Sequence, residues 1–111
     1  MKINTRQVGG VTVLDLKGDM TIGVGDVAVR NAAQEFMEAG LRNILLNMRD
    51  VTMTDSAGIG ELVSAYTTVS NRGGKLKLVN LPSKLSDLLQ ITQLISVFEV
   101  FDEEDEAVAS F

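Results

Sequence analysis

Histidine, cysteine and tryptophan are absent from the 111 residues, and proline occurs once. Histidine is the commonest general base near neutral pH and the commonest metal ligand. Its absence therefore excludes Ser-His-Asp, Cys-His and zinc-hydrolase sites together. Without cysteine there are no disulfides, thiolate metal sites or cysteine nucleophiles, and the cytoplasm is the default location. Only carboxylate or lysine chemistry is left open to an enzyme, and neither a metal nor a cofactor is expected. Aromatic residues make up 5% of the chain, so any core must be aliphatic. No apolar run reaches the length of a membrane span, and no cationic start precedes an apolar stretch, so neither membrane insertion nor a signal peptide is expected. Positive charge is also scarce: ten Lys and Arg stand against fifteen Asp and Glu, a net charge of −5. Nucleic-acid binding draws on clustered Lys and Arg, and no such cluster exists, so nucleic acid is not an expected partner.

What is present suits one domain over residues 1–111. Hydrophobic residues make up 45% and the mean hydropathy is +0.17, enough to fill a single core and too much for a disordered chain. Residues 2–17 read as a β-hairpin turning at Gly9-Gly10, with Val11, Val13, Leu14 and Leu16 as its apolar run. A loop with three glycines follows at Gly18–Gly25. Asp26 is placed to cap a helix whose Val29, Ala32, Ala33, Phe36 and Met37 recur on one face, and Gly40 stops it. Asn43–Met48 reads as a buried strand and Arg49–Asp55 as a polar connection. A second helix starts at Ser56 with Ile59, Leu62, Val63, Tyr66 and Val69 inward. Lys75–Asn80 alternates as a strand, Pro82 opens a short helix, Val97–Phe101 reads as an edge strand and Asp102–Ala109 as a terminal helix.

The resulting order, β-β-α-β-α-β-α-β-α, predicts an α/β fold: a mixed, mostly parallel sheet of four or five strands flanked by about four helices. The acids at 102–106 suit a helix start and a solvated face better than a metal site. Met20, Met37, Met48 and Met53 fit core filling, with Met53 and Ile59 also placed for contact near the segment described next.

The distinctive segment is Val51–Gly60, V-T-M-T-D-S-A-G-I-G, which runs from a strand end into a helix start, the edge of an α/β sheet where ligands and partners dock. Ser56 is expected at the N-cap, with Gly58 and Gly60 leaving the first turn bare for a partner. On generic physics a serine there is a cap. A phosphate loop is not supported, since neither G-x-x-x-x-G-K-[ST] nor G-x-G-x-x-G occurs, and a serine nucleophile lacks its histidine. Asp55 can equally orient the serine or cap a neighbouring N–H.

The T-D-S-A-G-I-G stretch resembles the D-S-[SA]-G-[LI]-G pattern of the bacterial anti-sigma factor antagonists, the STAS domain family. L-K-G-D-M at Leu16–Met20 is similar to that family's L-x-G-E-L, and the similarity extends over nearly the whole chain. It implies a STAS-like domain that is not an enzyme. Its serine, here Ser56, is the phosphorylation site of a partner that is both serine kinase and anti-sigma factor. Binding to that kinase releases a sigma factor, and a phosphatase restores the unmodified form. The implied partner-binding residues are Asp19, Thr21, Asp55, Ser56, Ala57, Gly58 and Ile59, on a cytoplasmic monomer or weak dimer. Thr21 stands where family members often carry an aspartate, which bears on which kinase binds. The family also includes constitutive structural subunits of signalling scaffolds and lipid-transport assemblies, the alternative reading. A small-ligand site or enzyme built on Asp19, Asp26 and Asp55 is the third.

Overall fold

The computed structural model describes residues 1–21 and 27–111. Strands β1 (Lys2–Val8) and β2 (Val11–Met20) form an antiparallel hairpin. Gly9 and Gly10 make its turn at φ of 55° and 79°, the left-handed pair that a two-residue hairpin requires. Strands β3 (Asn43–Thr54), β4 (Lys75–Val79) and β5 (Val100–Phe101) follow, each parallel to its predecessor, so the order across the sheet repeats the order along the chain. Helices α1 (Ala28–Glu38), α2 (Ser56–Asn71), α3 (Ser83–Ile91) and α4 (Glu104–Ala109) complete the chain. The expected five-strand limit, the hairpin and the parallel remainder all hold.

Alternation along the strands sorts the sheet into two unequal faces. Leu14, Leu16, Ile44, Leu46, Met48, Leu76 and Leu78 point to one side. They pack there with Val29, Ala33 and Met37 of α1, Ile59, Leu62, Ala65 and Val69 of α2, and Leu85 and Leu89 of α3. Val11, Val13, Leu45 and Val79 point to the other, where α4 covers them with Ala107. The core is mainly aliphatic, as the shortage of aromatics requires, with Phe98 also buried in it against Tyr66, and Met20, Met37 and Met48 are buried there too.

Several boundaries differ from the sequence expectation. Residues 49–54 are strand, not a connection: β3 carries on beside β2, which itself runs to Met20. Two register shifts, between Asp15 and Lys17 and between Gly18 and Asp19, each add a residue on the β3 side. Such irregularities break the period-2 pattern, so Met48 and Val51 both reach the core at a spacing of three. β5 is only two residues long. β4 ends at Val79 because Asn80 turns the chain at φ of 59°. The flanking residue of α1 is Val27, with no side-chain cap; the cap expected from Asp26 lies outside the described residues.

Helix α4 is too short to be stable alone and is fastened at both ends. At its start Arg6 sits between two carboxylates, with Nε 2.6 Å from Asp15 Oδ2 and Nη2 2.6 Å from Glu104 Oε1. Beyond its end Lys77 Nζ donates to the Ser110 carbonyl oxygen at 2.8 Å and to Ser110 Oγ at 2.9 Å, with the Phe111 ring centroid at 4.7 Å. Glu104 is therefore an ion-pair partner, while Asp102, Glu103, Asp105 and Glu106 stay exposed. Among the described residues no group of acids is arranged to hold a metal ion.

The Arg6 guanidinium, with help from an Asn47 amide at 2.8 Å, holds the Asp15 carboxyl below its ordinary value. A carboxylate whose pKa falls on folding stabilises the fold above its unfolded pKa, about 3.9, and loses that contribution as pH drops below it. Asp15→Asn is expected to lower stability above about pH 4, modestly because the pair is partly exposed, and to leave the acid end little changed, so that the acid side of the profile flattens. Urea titrations from pH 3 to 7 check this; an acid limb as steep as in wild type would remove Asp15 as its source.

Candidate functional site

The carboxyl ends of β2 and β3 lie side by side, with Asp19 in register with Met53 and Met20 with Thr54. Beyond Thr54 the chain turns at Asp55, in extended conformation, straight into α2. Asp55 Oδ1 accepts from the Gly58 N–H at 3.1 Å, and its carbonyl accepts from the Ile59 N–H at 3.0 Å. The N-cap is therefore Asp55, one residue earlier than expected, and Ser56 is the first helical residue. An aspartate at this place satisfies one orphan donor and puts negative charge at the positive end of the helix. That frees Ser56 from capping. Its side chain is exposed, and among the described residues no hydrogen bond of its hydroxyl is found.

The two motif glycines have opposite surroundings. A Cβ on Gly58 would stand 2.0 Å from the Met20 carbonyl oxygen and 3.0 Å from Thr54 Cγ2. Only glycine lets the first turn of α2 rest on the end of β2 so closely, and Gly58 is buried. It is not a bare surface for a partner. A Cβ on Gly60 would meet nothing within 4 Å. Gly60→Ala is expected to raise stability by about 0.5–1 kcal/mol, the usual gain over glycine inside a helix. Thermal melts check this, and a loss of stability would contradict the open surroundings.

The β2–β3 register places Asp19 and Thr21 at the same end of the domain as Asp55, Ser56 and Ala57. Asp19 accepts a hydrogen bond from Thr52 Oγ1 at 2.7 Å, which holds its carboxylate against β3. Of the residues expected at a partner surface, Ser56 is exposed, and Asp19, Thr21, Asp55 and Ala57 are half-buried. Gly58 and Ile59 are not at the surface: Ile59 is 6% exposed and packs in the core, on the inner face of α2 that it shares with Leu62. Met53, also expected near the site, is 61% exposed. Arg30 of α1 reaches Glu61 of α2 at 3.5 Å, tying the two helices together beyond the motif.

The site is a strand-to-helix turn capped by Asp55, with Ser56 exposed at the first residue of α2. The family model of the STAS domain matches residues 2–107; the chain belongs to the STAS domain family. It is 19% identical over 108 residues to the anti-sigma F factor antagonist of Paenibacillus polymyxa, covering 97% of this chain and 92% of the relative. Its fold superposes with a TM-score of 0.88 on the crystal structure of a candidate anti-sigma factor antagonist from Thermotoga maritima, at 25% identity, covering 97% of this chain and 92% of that one. The Bacillus cell fate determinant SpoIIAA in its phosphorylated form shares the fold at 17% identity and a TM-score of 0.74, covering 98% of each chain. No helix among the described residues is long and apolar enough to cross a membrane.

Proposed function

We propose that this chain is an anti-sigma factor antagonist whose binding to a kinase that is also the anti-sigma factor is switched by phosphorylation of Ser56. The observation that carries the reading is the release of Ser56 from capping. Asp55 makes the capping bond, which leaves at the first residue of α2 an exposed hydroxyl with no hydrogen bond found among the described residues. The D-S-A-G-I-G setting and the name of the Paenibacillus polymyxa relative support it. Asp19, Thr21, Asp55, Ser56 and Ala57 form the contact surface, with Gly58 and Ile59 as the packing that holds the turn. The domain works by binding, without turnover, in the cytoplasm, and a phosphatase resets it.

A phosphate adds about −1.5 to −2 charges at pH 7. At the start of α2 it meets unpaired N–H groups and the positive end of the helix, so the fold accepts it. A partner surface shaped around a hydroxyl does not. With the kinase and ATP, mass spectrometry is expected to find one phosphate, on Ser56, and none on Ser64, Ser70 or Ser83. Phosphorylation persisting in Ser56→Ala would move the site elsewhere and sink the reading.

A further inference from the structure

Between the end of β3 and the start of α3 lies a groove of about 250 Å³. Val51 and Leu85 are buried in its floor, and Met53 and Leu88 stand in its walls. Met53 keeps most of its surface in water, an unusual cost for a flexible thioether that packs readily against apolar partners. Pro82 and Lys84 form the rim, and Lys84 is the one charged residue lining the groove among the described residues. The sign of the rim is reinforced by α3, whose first turn has no acid and no side-chain cap. The chain as a whole carries −5, so a positive, apolar-floored groove runs against the charge of the molecule that holds it. It is also continuous with the site above, since Met53 and Thr54 lead directly into Asp55 and Ser56.

We infer that this groove is a second docking point, which takes an acidic, apolar segment of a partner protein. A long aliphatic or aromatic side chain seats between Met53 and Leu88, and a neighbouring Asp or Glu of the same segment faces Lys84. The link to the partner rests on the proposed role of Ser56: a segment held here would bring the kinase to the adjoining serine. The pocket contributes apolar burial and Lys84 contributes selection, because an opposite-charge rim governs which partner is accepted. General attraction to this acidic protein favours basic peptides, so a preference for an acidic one identifies the groove.

The probe is a short amphipathic peptide of Leu and Glu, with a twin in which every Glu is Lys, titrated by methyl NMR. The acidic peptide is expected to shift the Met53 and Leu88 methyl signals and to bind about tenfold tighter than its twin. Lys84→Glu, an exposed change that leaves the core untouched, is expected to reverse that preference. Against the purified kinase, Lys84→Glu and Met53→Glu are each expected to weaken binding about tenfold, with Ser56 still modified at saturating kinase. Equal response to both peptides, or shifts elsewhere, overturns the groove. A dimer that Met53→Glu dissociates, or octanoate shifting the same methyls more strongly than the peptide, overturns it in favour of a second copy or a fatty acid. If the acidic peptide binds and no kinase modifies Ser56, the groove stands and the Ser56 reading fails. If Ser56 is modified and the peptide does not bind, the reverse holds.

Discussion

Gly58→Ala is expected to cost about 1–3 kcal/mol or more, the range of overpacked cores, and its neighbour Gly60→Ala is expected to do the opposite. The added methyl on Gly58 would lie 2.0 Å from the Met20 carbonyl oxygen, a backbone atom that cannot rotate away as a side chain can. Either the first turn of α2 lifts off the end of β2, or β2 moves against β3, to which its end residues are paired. Both routes strain the turn that carries Asp55 and Ser56. Gly58→Ala should therefore lose partner binding beyond what its lower stability explains. Urea unfolding of the two variants beside wild type decides it. A Gly58→Ala protein as stable as wild type would mean that α2 does not rest on β2.

The order of elements and the parallel sheet were legible because each rests on a repeated signal: apolar residues at helical spacing in 29–37, alternation in 75–79, and Gly-Gly at the hairpin turn. The end of β3 was not legible. Two bulges against β2 interrupt R-D-V-T-M-T, so that its burial does not follow period 2, and pairing across strands is invisible in one strand's residues. The motif itself was read one residue out of phase. Asp and Ser are both good N-caps, and only the bond that the Gly58 N–H donates to Asp55 Oδ1 separates them. Gly58 and Gly60 look alike in the sequence and differ only in what lies opposite, the Met20 carbonyl at the end of β2 or open space. Ile59 carried two expectations, inward by its helical spacing with Leu62 and Val69 and a partner contact by the family resemblance, and its burial upholds the first.

Correcting the phase changes what is expected of the serine variants. With Asp55 as cap, Ser56→Ala removes no hydrogen bond found among the described residues and should melt within about 0.5 kcal/mol of wild type, as exposed substitutions do. Asp55→Ala removes the cap and should cost about 0.5–2 kcal/mol. Ser56→Asp adds an acid at the start of α2, where the helix favours it by about 0.3–1 kcal/mol. The adjacent Asp55 carboxylate offsets part of that gain, so this variant too should melt near wild type. Binding to the kinase separates them. Ser56→Ala should bind as tightly as the unmodified protein and never release. The phosphorylated protein should bind at least about a hundredfold more weakly, because leaving a charged group buried without a partner costs several kcal/mol and each 1.4 kcal/mol is tenfold. Ser56→Asp carries about half to two-thirds of that charge and should fall between them. Melting curves and binding titrations on the four proteins test the ordering. A phosphorylated protein that binds as tightly as Ser56→Ala would remove charge at Ser56 as the switch, and one that binds weakly only because it has partly unfolded would place the switch in the fold instead of the interface.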